Sequence, residues 1–271
     1  MGDGAAVRDQ IPLRDQLKNN LKAWNGTYWL VFFMIIPLVL LLILALPGTI
    51  KEHYFVFHSQ NLLNLQTYIL SSYTHSELYP HMAGNLVFYM IVMAAVFAFE
   101  TNRRRFHLMA GISFFIVPLI CSFLTIGLWH FFGTETSMQG FSGIDAAFLA
   151  YGFLTGVTFL LRDRLELFDH PELFTRSRLL FYVLNGMLAF VLGMVVFEGI
   201  LIGQFASTGS AVSNGIAHFG GFVTGLTAFF LFDFVHEKRK NFDIMLGISI
   251  LVGCLFYVDY LFKIVNMVRG I

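Results

Sequence analysis

The sequence predicts an all-α, polytopic transmembrane helix bundle with seven spans. Three observations carry that fold class. The chain of 271 residues is 57% hydrophobic and only 13% charged, with mean hydropathy +0.71. Soluble domains average about 45–50% apolar and about 25% charged residues. Seven apolar runs approach the roughly 20 residues needed to cross a hydrocarbon core of about 30 Å. Finally, Lys and Arg concentrate in alternate connections between those runs. No period-2 segment of comparable strength interrupts them, which disfavours a β-barrel.

Residues 1–27 are polar and mixed in charge, and read as a cytoplasmic tail. They show neither the short apolar core nor the small-residue cleavage site of a signal peptide, so the first span is expected to be retained. The runs are Tyr28–Leu46, His81–Phe99, Leu108–Trp129, Phe141–Leu161, Leu179–Gly203, Val212–Phe232 and Ile244–Val265. Spans 1 and 2 are joined by a long loop, Pro47–Pro80, rich in amphipathic aromatics. It reads as one or two short helices lying in the membrane interface. The loop Phe132–Gly140 is short and polar. Cys121 and Cys254 both lie in apolar runs and predict no disulfide.

Orientation follows from the basic residues. Arg8, Arg14, Lys18 and Lys22 precede span 1, and Arg103–Arg105 follow span 2. Arg162, Arg164, Arg176 and Arg178 follow span 4, and Lys238–Lys240 follow span 6. Together these are 14 of the 17 basic residues, all on one side. That side is expected to be cytoplasmic, with the C-terminus outside. The formal net charge of zero leaves no basic face for nucleic acid.

Polar residues within the spans are few and fall at one depth. Span 2 opens with His81-Met-Ala-Gly-Asn85, span 4 with Gly140-Phe-Ser142-Gly143, and span 6 carries His218 within AHFGGFVTG. All three spans run inward from the side poor in Lys and Arg, so topology alone gathers His81, Asn85, Ser142 and His218 near the outer surface. Polar side chains are costly in lipid and generally face a protein interior or cavity. A serine hydroxyl needs a base within hydrogen-bond reach to act as a nucleophile, and the ordinary His pKa near 6.5 suits that role. His81 and Asn85, at i and i+4, share a helix face and can both donate to an oxyanion. Gly221 and Gly225 continue one stripe below His218, and small residues let helices approach closely in lipid. Each residue also has a plainer reading. Ser142 alone would be an N-cap, His218 alone a satisfied buried histidine, and His81 an interfacial residue.

The combination HMAGN, GFSG and AHFGGFVTG resembles the rhomboid family of intramembrane serine proteases. The family pattern is H-x-x-x-N opening span 2, G-x-S-G opening span 4 and A-H-x-x-G-x-x-x-G in span 6. The resemblance covers a six-helix rhomboid core, residues 28–233. Residues 234–271 then add a cytoplasmic loop and a C-terminal seventh helix. It implies a serine endopeptidase that cuts transmembrane segments of membrane proteins near their outer ends. Ser142 would be the nucleophile and His218 the base. His81 and Asn85 would line the oxyanion hole, and Gly140 would shape the loop before Ser142. Gly221 and Gly225 read as packing residues. No cofactor and no metal is implied, and the partners are transmembrane substrates and the lipid bilayer of, most simply, the cell membrane.

Three features depart from the family pattern. No aromatic follows Ser142 before Phe148, the Trp-Arg pair usual after span 1 is missing, and the histidines of His75–His81 have altered spacing. Asp145, three residues after Ser142, is expected to make a structural hydrogen bond rather than to serve as a third triad member, whereas Glu198 and Asp259 have no assigned role. His53, His58 and His75 lack metal-ligand spacing. A catalytically silent relative that binds or sorts membrane helices is the alternative, and retention of both Ser142 and His218 speaks against it. A transporter or di-histidine haem protein would call for inverted repeats or facing histidine pairs, and neither is evident.

Overall fold

The computed structural model describes residues 12–76, 78–132, 137–159 and 217–229. Three of its helices are long and apolar enough to cross a membrane: Gly26–Leu44, Leu78–Phe99 and Arg103–Gly127. Each begins two to five residues earlier than the apolar run that predicted it, because polar end residues complete a helix without adding hydropathy. The third continues as helix to Phe132. A fourth, the serine helix Ser142–Thr158, and a fifth, the histidine helix at residues 217–229, pack against them. The expected spans Leu179–Gly203 and Ile244–Val265, with Glu198 and Asp259, lie outside the described residues.

Local sequence explains how these helices start. Asn25 caps the first, its side-chain oxygen accepting from the Tyr28 N–H at 3.3 Å. Asn102 caps the third, accepting from the Arg104 and Arg105 N–H groups at 3.1 Å each. Wider π turns at Val31–Ile35 and Ile112–Ile116 sit immediately before Pro37 and Pro118. Proline has no N–H and crowds the carbonyl a turn earlier, so the ladder widens there.

The polar tail is not featureless. Leu13–Ala23 forms a helix with no buried residue, and the segment just after it is tied down. Trp24 is 4% exposed, stacks on Phe97 with ring centroids 4.6 Å apart, and donates from Nε1 to the Phe97 carbonyl at 2.8 Å. Asn20 donates to the Ala98 carbonyl at 2.9 Å. The helix therefore ends beneath the last turn of the second spanning helix. Its short polar repeat was invisible beside the strong apolar periodicity of the spans.

The long loop contains the expected short helices, Gly48–Tyr54 and Thr67–Leu70, the second running into a 3₁₀ turn at Ser71–Tyr73. It also contributes a two-residue strand. β1, Phe57–His58, pairs antiparallel with β2, Ser137–Met138, placing Phe57 opposite Met138. Two residues are too few for a periodicity signal, so this pairing was not legible beforehand. The loop is fastened further by Ser122 Oγ donating to the Tyr68 carbonyl at 2.9 Å. The Tyr73 hydroxyl donates to the Phe114 carbonyl. Tyr68 and Ser122 are buried, so their bond forms away from water, where a lost partner costs about 1–3 kcal/mol.

At the end of the second spanning helix lies a buried charge cluster. Glu100 is 1% exposed and Arg105 8% exposed. Arg105 reaches both carboxylate oxygens, Nε to Oε2 at 2.8 Å and an amino group to Oε1 at 3.1 Å. The Asn102 N–H donates to Glu100 Oε1 at 2.6 Å, and the Tyr151 hydroxyl of the serine helix donates to Oε2. The guanidinium also lies 4.8 Å from the ring centroid of Phe229 in the histidine helix. Read from sequence as one of the basic residues of the loop after span 2, Arg105 is buried in a cluster that brings four helices together.

Candidate active site

Ser142 is the first residue of the serine helix, directly after Phe141 and Gly140. The N–H groups of a first helical turn have no intrahelical partner, and the helix dipole makes that end favourable for negative charge. Gly140 adopts φ +139°, a left-handed region that favours glycine. Its N–H donates to the Ser71 carbonyl at 2.9 Å, so the long loop holds the turn that presents Ser142.

The glycine stripe of the histidine helix lies directly on the serine helix. A Cβ built on Gly221 would collide with the Gly143 carbonyl oxygen, and one on Gly225 with the Ala147 carbonyl oxygen. The two backbones are thus in contact over a full turn, and no side chain fits between them. At the top of this crossing, a Cβ on Gly143 would stand 3.2 Å from the Ala217 carbonyl oxygen and 3.0 Å from Cys121 Sγ. Cys121 donates to that same carbonyl at 3.3 Å, closing the third spanning helix behind the pair. Gly143 follows Ser142 and Ala217 precedes His218, so the immediate neighbours of both residues touch. His218 is 5% exposed. Behind the crossing, the serine helix packs against the second spanning helix. A Cβ on Gly152 would meet Val96 at 3.0 Å and one on Gly156 would meet Phe99 at 3.3 Å.

Asn85 and His81 share the face of the second spanning helix that their spacing predicted. The Asn85 side-chain nitrogen lies 2.8 Å from Nε2 of His75. The His81 ring is parallel to that of His75, with planes 9° apart and centroids 6.2 Å apart. His81 is exposed and Asn85 half-buried. The His75 ring also flanks Gly140: its Cε1 and Nε2 lie 3.2 and 3.3 Å from the point where a Gly140 Cβ would stand, and Ser142 Oγ lies 3.7 Å from that point. Burial, and secondarily the His81 charge, push the His75 pKa down to about 4, so its ring is neutral at physiological pH.

His75 is the residue that sequence reasoning passed over. It stood among loop histidines without metal-ligand spacing. The only available signal was its place in the His75–His81 run. Its position ten residues before Asn85 gives no helical register, because the backbone between them is interrupted at Ser76 and Tyr79. Asp145 departs from expectation in another way. It is 3% exposed, yet neither carboxylate oxygen has a hydrogen-bond partner among the described residues. Its one-turn offset from Ser142 points it into the interior, where Tyr89 is its electrostatic neighbour. Among the described residues no group of three His, Cys, Asp or Glu side chains is placed to hold a metal ion.

Comparison of the chain with family models, curated proteins and solved structures gave no match. The reading of the site therefore rests on its residues and geometry. They combine a serine at a helix N-terminus, a histidine helix crossing it at backbone contact, and an asparagine and two histidines beside the turn that precedes the serine. A serine hydroxyl, an imidazole and a side-chain amide are groups with which acyl transfer can be carried out.

Proposed function

We propose that the chain is a rhomboid-type intramembrane serine endopeptidase, working through a Ser142–His218 dyad on transmembrane segments of other proteins. The observation that carries this reading is the backbone crossing of the serine and histidine helices at Gly143–Gly221 and Ala147–Gly225. A transporter or a structural bundle gains nothing particular from joining these two helices directly below a serine and a histidine. A dyad requires it.

In this reading Ser142 Oγ bonds to the scissile carbonyl carbon while its proton passes to His218. The carbonyl oxygen becomes an oxyanion and takes hydrogen bonds from the Ser142 N–H, Asn85 and His81. The C–N bond then breaks, and the leaving amine carries away the proton from His218. Water attacks the resulting ester and gives a proton to His218. The ester C–O bond breaks, the proton returns to Ser142, and the acid product leaves. A substrate helix hides its own carbonyls in its hydrogen-bond ladder, so cleavage favours segments that unwind easily near the membrane surface. With the side rich in Lys and Arg taken as cytoplasmic, this reading puts the serine end outside and releases substrate fragments there.

The test is labelling with a fluorophosphonate probe in membranes, beside cleavage of a model transmembrane substrate. The unmodified chain is expected to label and to cleave. Ser142→Ala and His218→Ala should do neither, though both should insert normally, because nucleophile and base act as a unit. Normal cleavage by Ser142→Ala would end the proposal. An intact chain that binds helices without labelling would favour the silent relative.

A further inference from the structure

We infer that His75 is a positioning residue for catalysis, fixing by one hydrogen bond which end of the Asn85 side-chain amide faces the oxyanion. This rests on the protease reading above. His75 belongs to the loop between the first two spanning helices, not to any of the three sequence patterns that define the site. It nevertheless lies at their meeting point: Nε2 is 2.8 Å from the Asn85 amide nitrogen, and the ring borders Gly140, the residue two before Ser142.

The chemistry of the two partners makes the bond informative. An amide nitrogen only donates, so Nε2 must accept, and the neutral ring carries its proton on Nδ1. With one amide N–H committed to His75, the amide plane is set and its second N–H has a defined direction. A ring protonated at Nε2 would donate instead. It would draw the amide oxygen toward itself, turn the amide over and change which Asn85 donor the oxyanion meets. Among the described residues the titratable groups facing His75 are His81, from the second spanning helix, and His218, from the histidine helix. Neither is an acid, so neither favours a charged His75. Its depressed pKa agrees with that surrounding.

A Gln at position 75 can accept through Oε1, roughly where Nε2 stands, whereas Ala cannot. Cleavage of the model substrate by the full chain in lipid nanodiscs separates the possibilities. His75→Ala is expected to lower kcat by about tenfold, the worth of one neutral hydrogen bond, with little change in KM. His75→Gln should restore most of the loss. In an Asn85→Ala background, His75→Ala should cost almost nothing more, because the two residues act through one bond. An undiminished kcat in His75→Ala would overturn the inference. So would an equal loss in the Asn85→Ala background, or a Gln variant no better than Ala.

A second readout needs no activity. In chain labelled with ¹⁵N-histidine, His75 Nε2 should resonate as an unprotonated, hydrogen-bonded nitrogen and shift in Asn85→Ala. A protonated Nε2, or an unshifted one, would overturn the bond. A chain that neither labels nor cleaves would instead overturn the protease reading, and with it any catalytic use of the bond. The nitrogen spectrum would still decide whether the bond exists.

Discussion

Two regions of the serine helix, its first turn and the turn around Tyr151, are built by opposite means. Ser142 opens the helix, and Tyr151 is nine residues further, about 13 Å along the axis. Around Tyr151 a buried carboxylate and guanidinium are paired through two hydrogen bonds. A backbone N–H, a tyrosine hydroxyl and an aromatic face complete their surroundings. At the Ser142 end the described contacts include an amide–imidazole bond from Asn85 to His75 and a backbone bond from Gly140 to Ser71. Between them, the glycine stripe lets the two helix backbones touch with no side chain interposed. A charge-locked end tolerates no rearrangement, since parting either ion leaves the other buried and unpaired. A site that must admit water and an unwinding helix is better served by weak, exchangeable bonds. Rigidity at one end lets the other stay adjustable while the helix axes hold register.

The sharpest way to break this contrast is at the stripe that links the two ends. Gly221→Leu forces a branched side chain into the Gly143 backbone and should lose activity and fold together. The same change at Gly26, where a Cβ meets nothing within 4 Å, should leave both largely intact. Full cleavage by Gly221→Leu would show that the close contact is dispensable.

Next in size is the charged end. Arg105→Ala should cost about 3–5 kcal/mol by stranding Glu100, visible as a lowered midpoint of thermal unfolding in detergent. Whatever protein remains folded should keep its kcat, because the cluster touches no reacting group. An Arg105→Ala chain as stable as the parent would mean that Glu100 becomes protonated or hydrated at little cost.

Asn85→Ala should show the reverse pattern. Loss of one oxyanion donor costs about 10²–10³ in kcat in a rigid site, with the unfolding midpoint scarcely moved. The figure is an upper bound here, since His81 and the Ser142 N–H remain as donors. An unchanged kcat would remove Asn85 from the oxyanion site.

The smallest effect is the pH response of the serine end. His75 has a folded pKa of about 4 and an ordinary value near 6.5 when unfolded. Between those values the unfolded chain binds a proton that the folded chain does not, so stability falls as pH drops from about 6.5 toward 4. The slope attributable to His75 is at most about 1.4 kcal/mol per pH unit. Comparing unfolding midpoints at pH 7 and pH 5 for the parent and His75→Gln isolates it, because Gln does not titrate. Equal slopes in the two chains would show that folding does not lower the His75 pKa.

Much was legible before any coordinates because lipid imposes one-dimensional rules. Composition and run length alone produced the helical membrane class and the first three spans to within a few residues. The i,i+4 spacing of His81 and Asn85 and of Gly221 and Gly225 needs only 3.6 residues per turn to put each pair on one face. Small residues at that spacing let two helix backbones approach closely in lipid, and in the structure Gly221 and Gly225 lie against the backbone of the serine helix. What tertiary structure alone decided concerns residues whose partners are distant in sequence. Arg105 looked like one more positive charge in a loop, and only the fold turned it inward to Glu100, Tyr151 and Phe229. Phe57 and His58 became a strand only because Ser137 and Met138, some eighty residues later, were brought alongside. His75 has no helical register with Asn85, because the backbone between them is interrupted at Ser76 and Tyr79. Periodicity reports on a residue's own helix. A hydrogen bond or ion pair between elements depends on chain reversals that local sequence does not encode.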